Sequence, residues 1–147
     1  MTDTPWLLDV NVAMYAAGVD HPYKQPCAWL ILEVAAGRMN AAIDTEAVQE
    51  ILYRYMRTQQ WQVAVDMAQN LIDAVTTVFP IRLADMLLCM ELCKAYGPRG
   101  LSARDLLHAA VMQNNGLDTI ISTDQDFDLI DGIHRLDPLD LFKRRTK

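Results

Sequence analysis

The sequence predicts a three-layer α/β/α sandwich on a mostly parallel central sheet of four or five strands. Short apolar, β-branched runs alternate with longer helical stretches along the chain, the pattern of a parallel sheet covered on both faces. The chain has 147 residues, 52% of them hydrophobic, which suits one domain around one core. Neither a low-complexity run nor a long polar run is present, so disorder is excluded.

Trp6-Leu7-Leu8-Asp9-Val10 reads as a buried first strand ending in an acid. Gly18 and Pro22 then break the chain, and the first helix is assigned from Pro26 to Ala36, closed by Gly37. Asn40–Ile43 is a second strand, and Asp44 or Thr45 caps a helix running through Glu46, Glu50 and Tyr53 towards Arg57. A further helix covers Val63 to Ala74, followed by the β-branched run Val75–Phe79. Arg82 to Tyr96 is a helix stopped by Gly97-Pro98, and Ser102 opens another that reaches Gly116. Thr119–Thr123 is the clearest strand, and Ile133–Leu136 is a short last one before Pro138.

Composition narrows the function classes. No stretch approaches the ~18 uncharged apolar residues of a membrane span. The first residues lack the basic region of a signal peptide, and Cys27, Cys89 and Cys93 are an odd set for a disulfide framework. A reduced, cytoplasmic setting is therefore expected. Thirteen basic against nineteen acidic residues give a net charge of −6, which argues against a general polyanion binder. Lys143, Arg144, Arg145 and Lys147 crowd the last positions, so the body is more acidic than the total. We expect one domain over 1–142 and a basic tail over 143–147.

Ligands of open parallel sheets bind beyond the carboxyl ends of the strands. Asp9 ends the first strand with Asn11 two residues on; Asp124 and Asp126 follow the Ile120–Thr123 run. Glu50 and Asp105 are candidates to join them from helices. Converging carboxylates repel unless a cation lies among them, and all-oxygen ligands suit Mg²⁺ or Mn²⁺. Each acid also has a plain reading. Asp105 completes a capping-box spacing with Ser102, Glu50 is a solvated helix residue, and Asp124 and Asp126 are ordinary in a polar turn. Asp9 is the hardest to explain away, because a charge at the end of a buried strand is costly without a partner.

Leu7-Leu8-Asp9-Val10-Asn11-Val12, Glu46-Ala47-Val48-Gln49-Glu50, Asp105-Leu106-Leu107-His108-Ala109-Ala110 and Ser122-Thr123-Asp124-Gln125-Asp126-Phe127 resemble, in order and spacing, the four signature blocks of PIN domains. These are metal-dependent ribonucleases, abundant as VapC-type toxins of bacterial and archaeal toxin–antitoxin modules. The match runs from Leu7 to about Asp137; Val10 replaces the usual small polar residue after the first Asp. The resemblance implies a PIN-like fold with Asp9, Glu50, Asp105 and Asp124 as an acidic quartet around Mg²⁺ or Mn²⁺. Asp126 would be an auxiliary ligand, and Asn11 and Ser122 would orient carboxylates or water. His108, one turn after Asp105, is expected to pack or hydrogen-bond rather than catalyse.

The reaction so implied is hydrolysis of RNA phosphodiester bonds, with an antitoxin protein as a further partner. Two alternatives remain: an inactive PIN-like scaffold that binds RNA or protein, and a haloacid-dehalogenase-like phosphatase. The latter needs a second acid where Asn11 stands. The Arg82–Tyr96 helix has almost no polar face. It should therefore be buried on several sides, and a homodimer through it is expected.

Overall fold

The computed structural model describes residues 4–145. Five strands, Trp6–Leu8 (β1), Ala41–Asp44 (β2), Thr77–Phe79 (β3), Thr119–Ile121 (β4) and His134–Leu136 (β5), form one sheet in the order β3-β2-β1-β4-β5. Every neighbouring pair is parallel. Leu7 lies opposite Ala42 on one side and Ile120 on the other, so the first strand is central and both of its edges are paired.

The helices are Val10–Ala17 (α1), Lys24–Ala35 (α2), Thr45–Met56 (α3), Trp61–Ala74 (α4), Leu83–Tyr96 (α5), Ala103–Asn114 (α6) and Pro138–Arg144 (α7). Successive strand side chains point to opposite faces, which divides the core in two. Leu7, Ala42 and Ile120 join α5 and α6 through Cys89, Leu106, Ala110 and Met112. Leu8, Ile43 and Ile121 join α1 to α4 through Val12, Leu30, Ile51 and Leu71. The three layers follow from that alternation.

Two helices exceed the sequence reading. α1 begins directly at Asp9, where Val10 and Val12 extend an apolar, β-branched run and hide the helical period. It ends at Gly18, where a Cβ would sit 2.9 Å from the Met14 carbonyl oxygen, so only glycine lets the chain turn there. α7 is capped by Asp137, whose carboxylate accepts from the Leu139 amide at 2.8 Å, and Phe142 meets Trp29 edge-on at 5.7 Å. Lys143 and Arg144 thus form the last turn of a helix, while Thr146 and Lys147 of the expected tail lie outside the described residues.

The expectation for α5 needs correction. The helix buries Asp85, Cys89 and Tyr96, but Leu83, Met86, Leu87 and Met90 are 74%, 42%, 54% and 58% exposed. One face packs on α6 and the other faces solvent in the single chain, so it is not covered on several sides. Cys27, Cys89 and Cys93 are free thiols, and burial, with Cys93 beside it, pushes Cys89 up to about 11. Among the described residues no helix is long and apolar enough to cross a membrane.

Candidate active site

β1 and β4 are neighbours and parallel, so their carboxyl ends open on the same edge of the sheet. Asp9 leaves β1 as the N-cap of α1, yet its carboxylate makes no capping hydrogen bond. It turns towards β4 instead. The Ser122 hydroxyl donates to Asp9 Oδ2 at 2.6 Å and Asn11 Nδ2 donates to the same oxygen at 3.2 Å. Ser122 is fully buried, and its oxygen also accepts from the Asp124 amide at 2.9 Å. Asp124 Oδ1 in turn accepts from the Asp126 amide at 2.9 Å. One serine therefore locks the end of β1 to the turn carrying the last two acids.

Asp105 comes to the same place from the first turn of α6. Ser102 caps that helix by accepting from the Asp105 amide at 3.2 Å, which leaves the Asp105 carboxyl to meet Asp124. Carboxylate oxygens of Asp105, Asp124 and Asp126 lie within 4.8 Å of one another. Burial, then the hydrogen bond and charge of Asp124, then the charge of Asp9, push Asp105 up to about 7. Burial and neighbouring negative charge both disfavour the ionised form, and here they act together.

The donor set fits a hard divalent cation such as Mg²⁺ or Mn²⁺: three carboxylates, from half-exposed to buried, converge with no nitrogen or sulfur ligand among them. Asn11 Oδ1 is buried and accepts no hydrogen bond among the described residues, a further oxygen at this edge.

Glu50 stands in a different setting. It is buried at 4% exposure, and both of its oxygens are taken. Arg54 Nε donates to Oε1 at 2.6 Å and Arg104 Nη1 donates to Oε2 at 2.6 Å. The sequence grouped Glu50 with the other acids; the structure brings Asp105, Asp124 and Asp126 together, hangs Asp9 beside them on Ser122, and gives Glu50 to two arginines. Arg54 lies one helical turn after Glu50 and Arg104 directly precedes Asp105, spacings that were open to reading but point to no chemistry alone.

Below the acids, His108 Nδ1 lies 2.5 Å from Asp44 Oδ2, with both side chains buried. Burial alone would lower the imidazole, but the hydrogen bond and charge of Asp44, with Asp9 and Asp105, carry it up to about 9. Asp44 also caps α3 by accepting from the Ala47 amide at 3.1 Å. His108 is a hydrogen-bonding residue, as its position suggested, and its buried partner at the end of β2 is one the sequence reading gave only as a helix cap.

Two cavities flank the acids. One, of about 530 Å³, is lined by Asn11, Met14, Tyr15, His21, Arg54 and Asp124 among others. The other, of about 560 Å³, is lined by Glu50, Tyr53, Arg54, Arg57, Thr58 and Arg104. Arg54 lines both.

Comparison with known proteins agrees with this architecture. The family model described as the PIN domain matches residues 6–133. Ribonuclease VapC13 of Mycobacterium tuberculosis is 33% identical over 130 residues, covering 88% of this chain and 98% of its own length. Ribonuclease VapC23 from the same species is 33% identical over 117 residues, covering 80% of this chain and 90% of its own. Among solved structures, VapBC2 of Rickettsia felis bound to a promoter DNA fragment superposes with a TM-score of 0.69. It is 18% identical, covering 91% of this chain and 98% of that one. With its acids ending parallel strands and a match that spans most of its length, the chain belongs to the PIN domain family, in the company of the VapC proteins.

Proposed function

We propose that this chain is a divalent-metal-dependent endoribonuclease and the toxin of a toxin–antitoxin pair. The observation that carries the reading is the convergence of Asp105, Asp124 and Asp126 within 4.8 Å, with Asp9 held against them by Ser122. The names of its relatives support the substrate class: two that cover most of the chain are called ribonucleases. The all-oxygen donor set favours Mg²⁺ or Mn²⁺.

Asp105, Asp124 and Asp126 would hold the metal, with Asp9 completing the acidic edge. When bound, the cation supplies charge neutralisation for the in-line transition state and lowers the pKa of a water to near neutrality. The remaining tasks fall to the protein. Ser122 and Asn11 fix the rotamer of Asp9 through its Oδ2. Asp124 lines the open space beside Asn11 and is the carboxylate suited to take a proton from the attacking water at one of its oxygens. Glu50 is less suited to that step, because each of its oxygens already accepts from an arginine. Its role is to position Arg54 and Arg104, which face the backbone phosphates of a bound strand.

The exposed apolar face of α5, Leu83, Met86, Leu87 and Met90, is the surface on which we place a homodimer. An antitoxin peptide would enter along the arginine-lined side and set an arginine of its own on the acids. This pairing is supported by neighbours described as toxin–antitoxin complexes and VapBC assemblies. The working place of such an enzyme is the cytoplasm, where transcripts are.

The test is direct. Purified protein with Mg²⁺ or Mn²⁺ should cleave single-stranded RNA, and Asp124→Asn should lose that activity with its fold intact. A clean preparation that leaves RNA uncut across both metals sinks the reading, and phosphate release from a small phosphoester in its place would revive the phosphatase alternative.

A further inference from the structure

The cavity beside the acids has walls that the hydrolysis of a phosphodiester does not use. Tyr15, from the last turn of α1, lies 4.7 Å from the His21 ring and 5.4 Å from the Tyr23 ring, and His21 and Tyr23 stack at 5.9 Å with 13° between their planes. Tyr15 and His21 line the same space as Asn11, Arg54 and Asp124. The segment that carries His21 is held in place. Lys24 Nζ donates to the Gly18 carbonyl at 2.6 Å, the Tyr23 amide donates to His21 Nδ1 at 3.1 Å, and the Tyr23 hydroxyl donates to Asp137 at 2.7 Å. Because Nδ1 accepts, the neutral ring carries its proton on Nε2, leaving that nitrogen as a donor.

Resting on the ribonuclease reading, we propose that this cavity is a nucleobase subsite. It takes the base next to the scissile phosphate of a single-stranded RNA, stacked against Tyr15 and His21, while Arg54, which lines the same cavity, binds the adjoining phosphate. The chemistry favours this occupant. Preformed aromatic faces bind any base through its π-face at little ordering cost, an arginine in the lining matches a phosphate, and Asp124, which lines the cavity, marks the side on which the bond is cut. A duplex cannot use the site, since its bases are already stacked on each other.

The experiment uses the full chain in chelator, so that no cleavage occurs, and short single-stranded oligoribonucleotides carrying 2-aminopurine at successive positions. Binding should quench the fluorescence at one position. Tyr15→Leu, which keeps the apolar bulk, and His21→Ala should each weaken binding about tenfold and abolish the quench. Tyr15→Phe should retain it, and Mn²⁺ affinity by calorimetry should not change in any of the three. Binding without a position-specific quench, or Tyr15→Leu and His21→Ala binding as tightly as the parent, overturns the subsite. Cleavage of RNA by the metal-loaded parent is scored separately. A quench without cleavage supports the subsite and overturns the nuclease reading, and cleavage without a quench does the reverse.

Discussion

Ser122 donates to Asp9 at 2.6 Å across 113 residues of sequence, and through this one bond the acid at the end of β1 is aimed at the acids that follow β4. A hydrogen bond to an ionised group in a buried setting is worth more than a neutral one, and here its main effect is orientation. Ser122→Ala should lower kcat on RNA by about 10- to 100-fold, the usual cost of losing a group that orients a metal-site carboxylate. Circular dichroism and thermal unfolding should show the fold retained. Activity equal to the parent would mean that Asp9 needs no such support.

Removing the acids themselves should cost more. Asp9→Asn, Asp105→Asn and Asp124→Asn should each reduce cleavage by about two to three orders of magnitude. Asp9→Asn is the most informative, because an amide oxygen still accepts from Ser122 while the charge is gone. Single-turnover assays at saturating metal separate a lost charge from a lost metal.

Metal binding should depend on pH in a definite direction. Asp105, whose ordinary value is near 3.8, is pushed up to about 7 by burial and Asp124. A carboxyl raised in the folded state favours folding fully below its unfolded value, and that contribution is lost as pH rises through 7. The metal-free protein therefore loses stability over that interval, and a cation must displace the proton to bind. Adding Mn²⁺ should raise Tm more at pH 8 than at pH 5.5, with proton release seen when calorimetry is repeated in buffers of different ionisation heat. An equal gain in Tm at both pH values contradicts the assignment of Asp105.

The His108–Asp44 pair works with the same sign. Raised to about 9 by Asp44 against the effect of burial, His108 contributes stability that is complete below pH 6.5 and disappears as pH climbs through 9. His108→Ala should cost about 3 kcal/mol near neutrality, because it strands a buried carboxylate. It should also flatten the decline of Tm between pH 7 and 9. Denaturant melts across that range measure both.

The exposed side of α5 gives a prediction that is independent of chemistry. If two chains pair there, Leu87→Glu together with Met90→Glu should yield monomers by light scattering while secondary structure stays unchanged. Parent and variant running at the same mass would remove the proposed interface.

The strands, the long helices and the acids at strand ends were legible in the sequence, because apolar runs, capping residues and chain breakers act locally. Asp44 and Ser102 cap where their positions suggested, through the Ala47 and Asp105 amides. What escaped has a physical cause. α1 carries Val10 and Val12 at its start, so its first turn resembles more strand, and only the tertiary packing of Val12 and Ala13 decides between the two. Glu50 looked like its fellow acids, yet its partners Arg54 and Arg104 reside in two separate helices, and a pairing with Arg104 across 54 residues leaves no local mark. The exposure of Leu87 and Met90 was hidden for the opposite reason: composition records that a side chain is apolar, not whether anything covers it.

The long reach between Asp9 and Ser122 has a consequence for biosynthesis. During translation the first acid emerges early and waits, because the segment it must dock against is made near the end. A ribosome that stalls or a message that is cut short inside α6 releases a polypeptide with no β4 and no Asp124. Such a fragment lacks two of the three converging carboxylates, so the cluster is assembled only once almost the entire chain has been made.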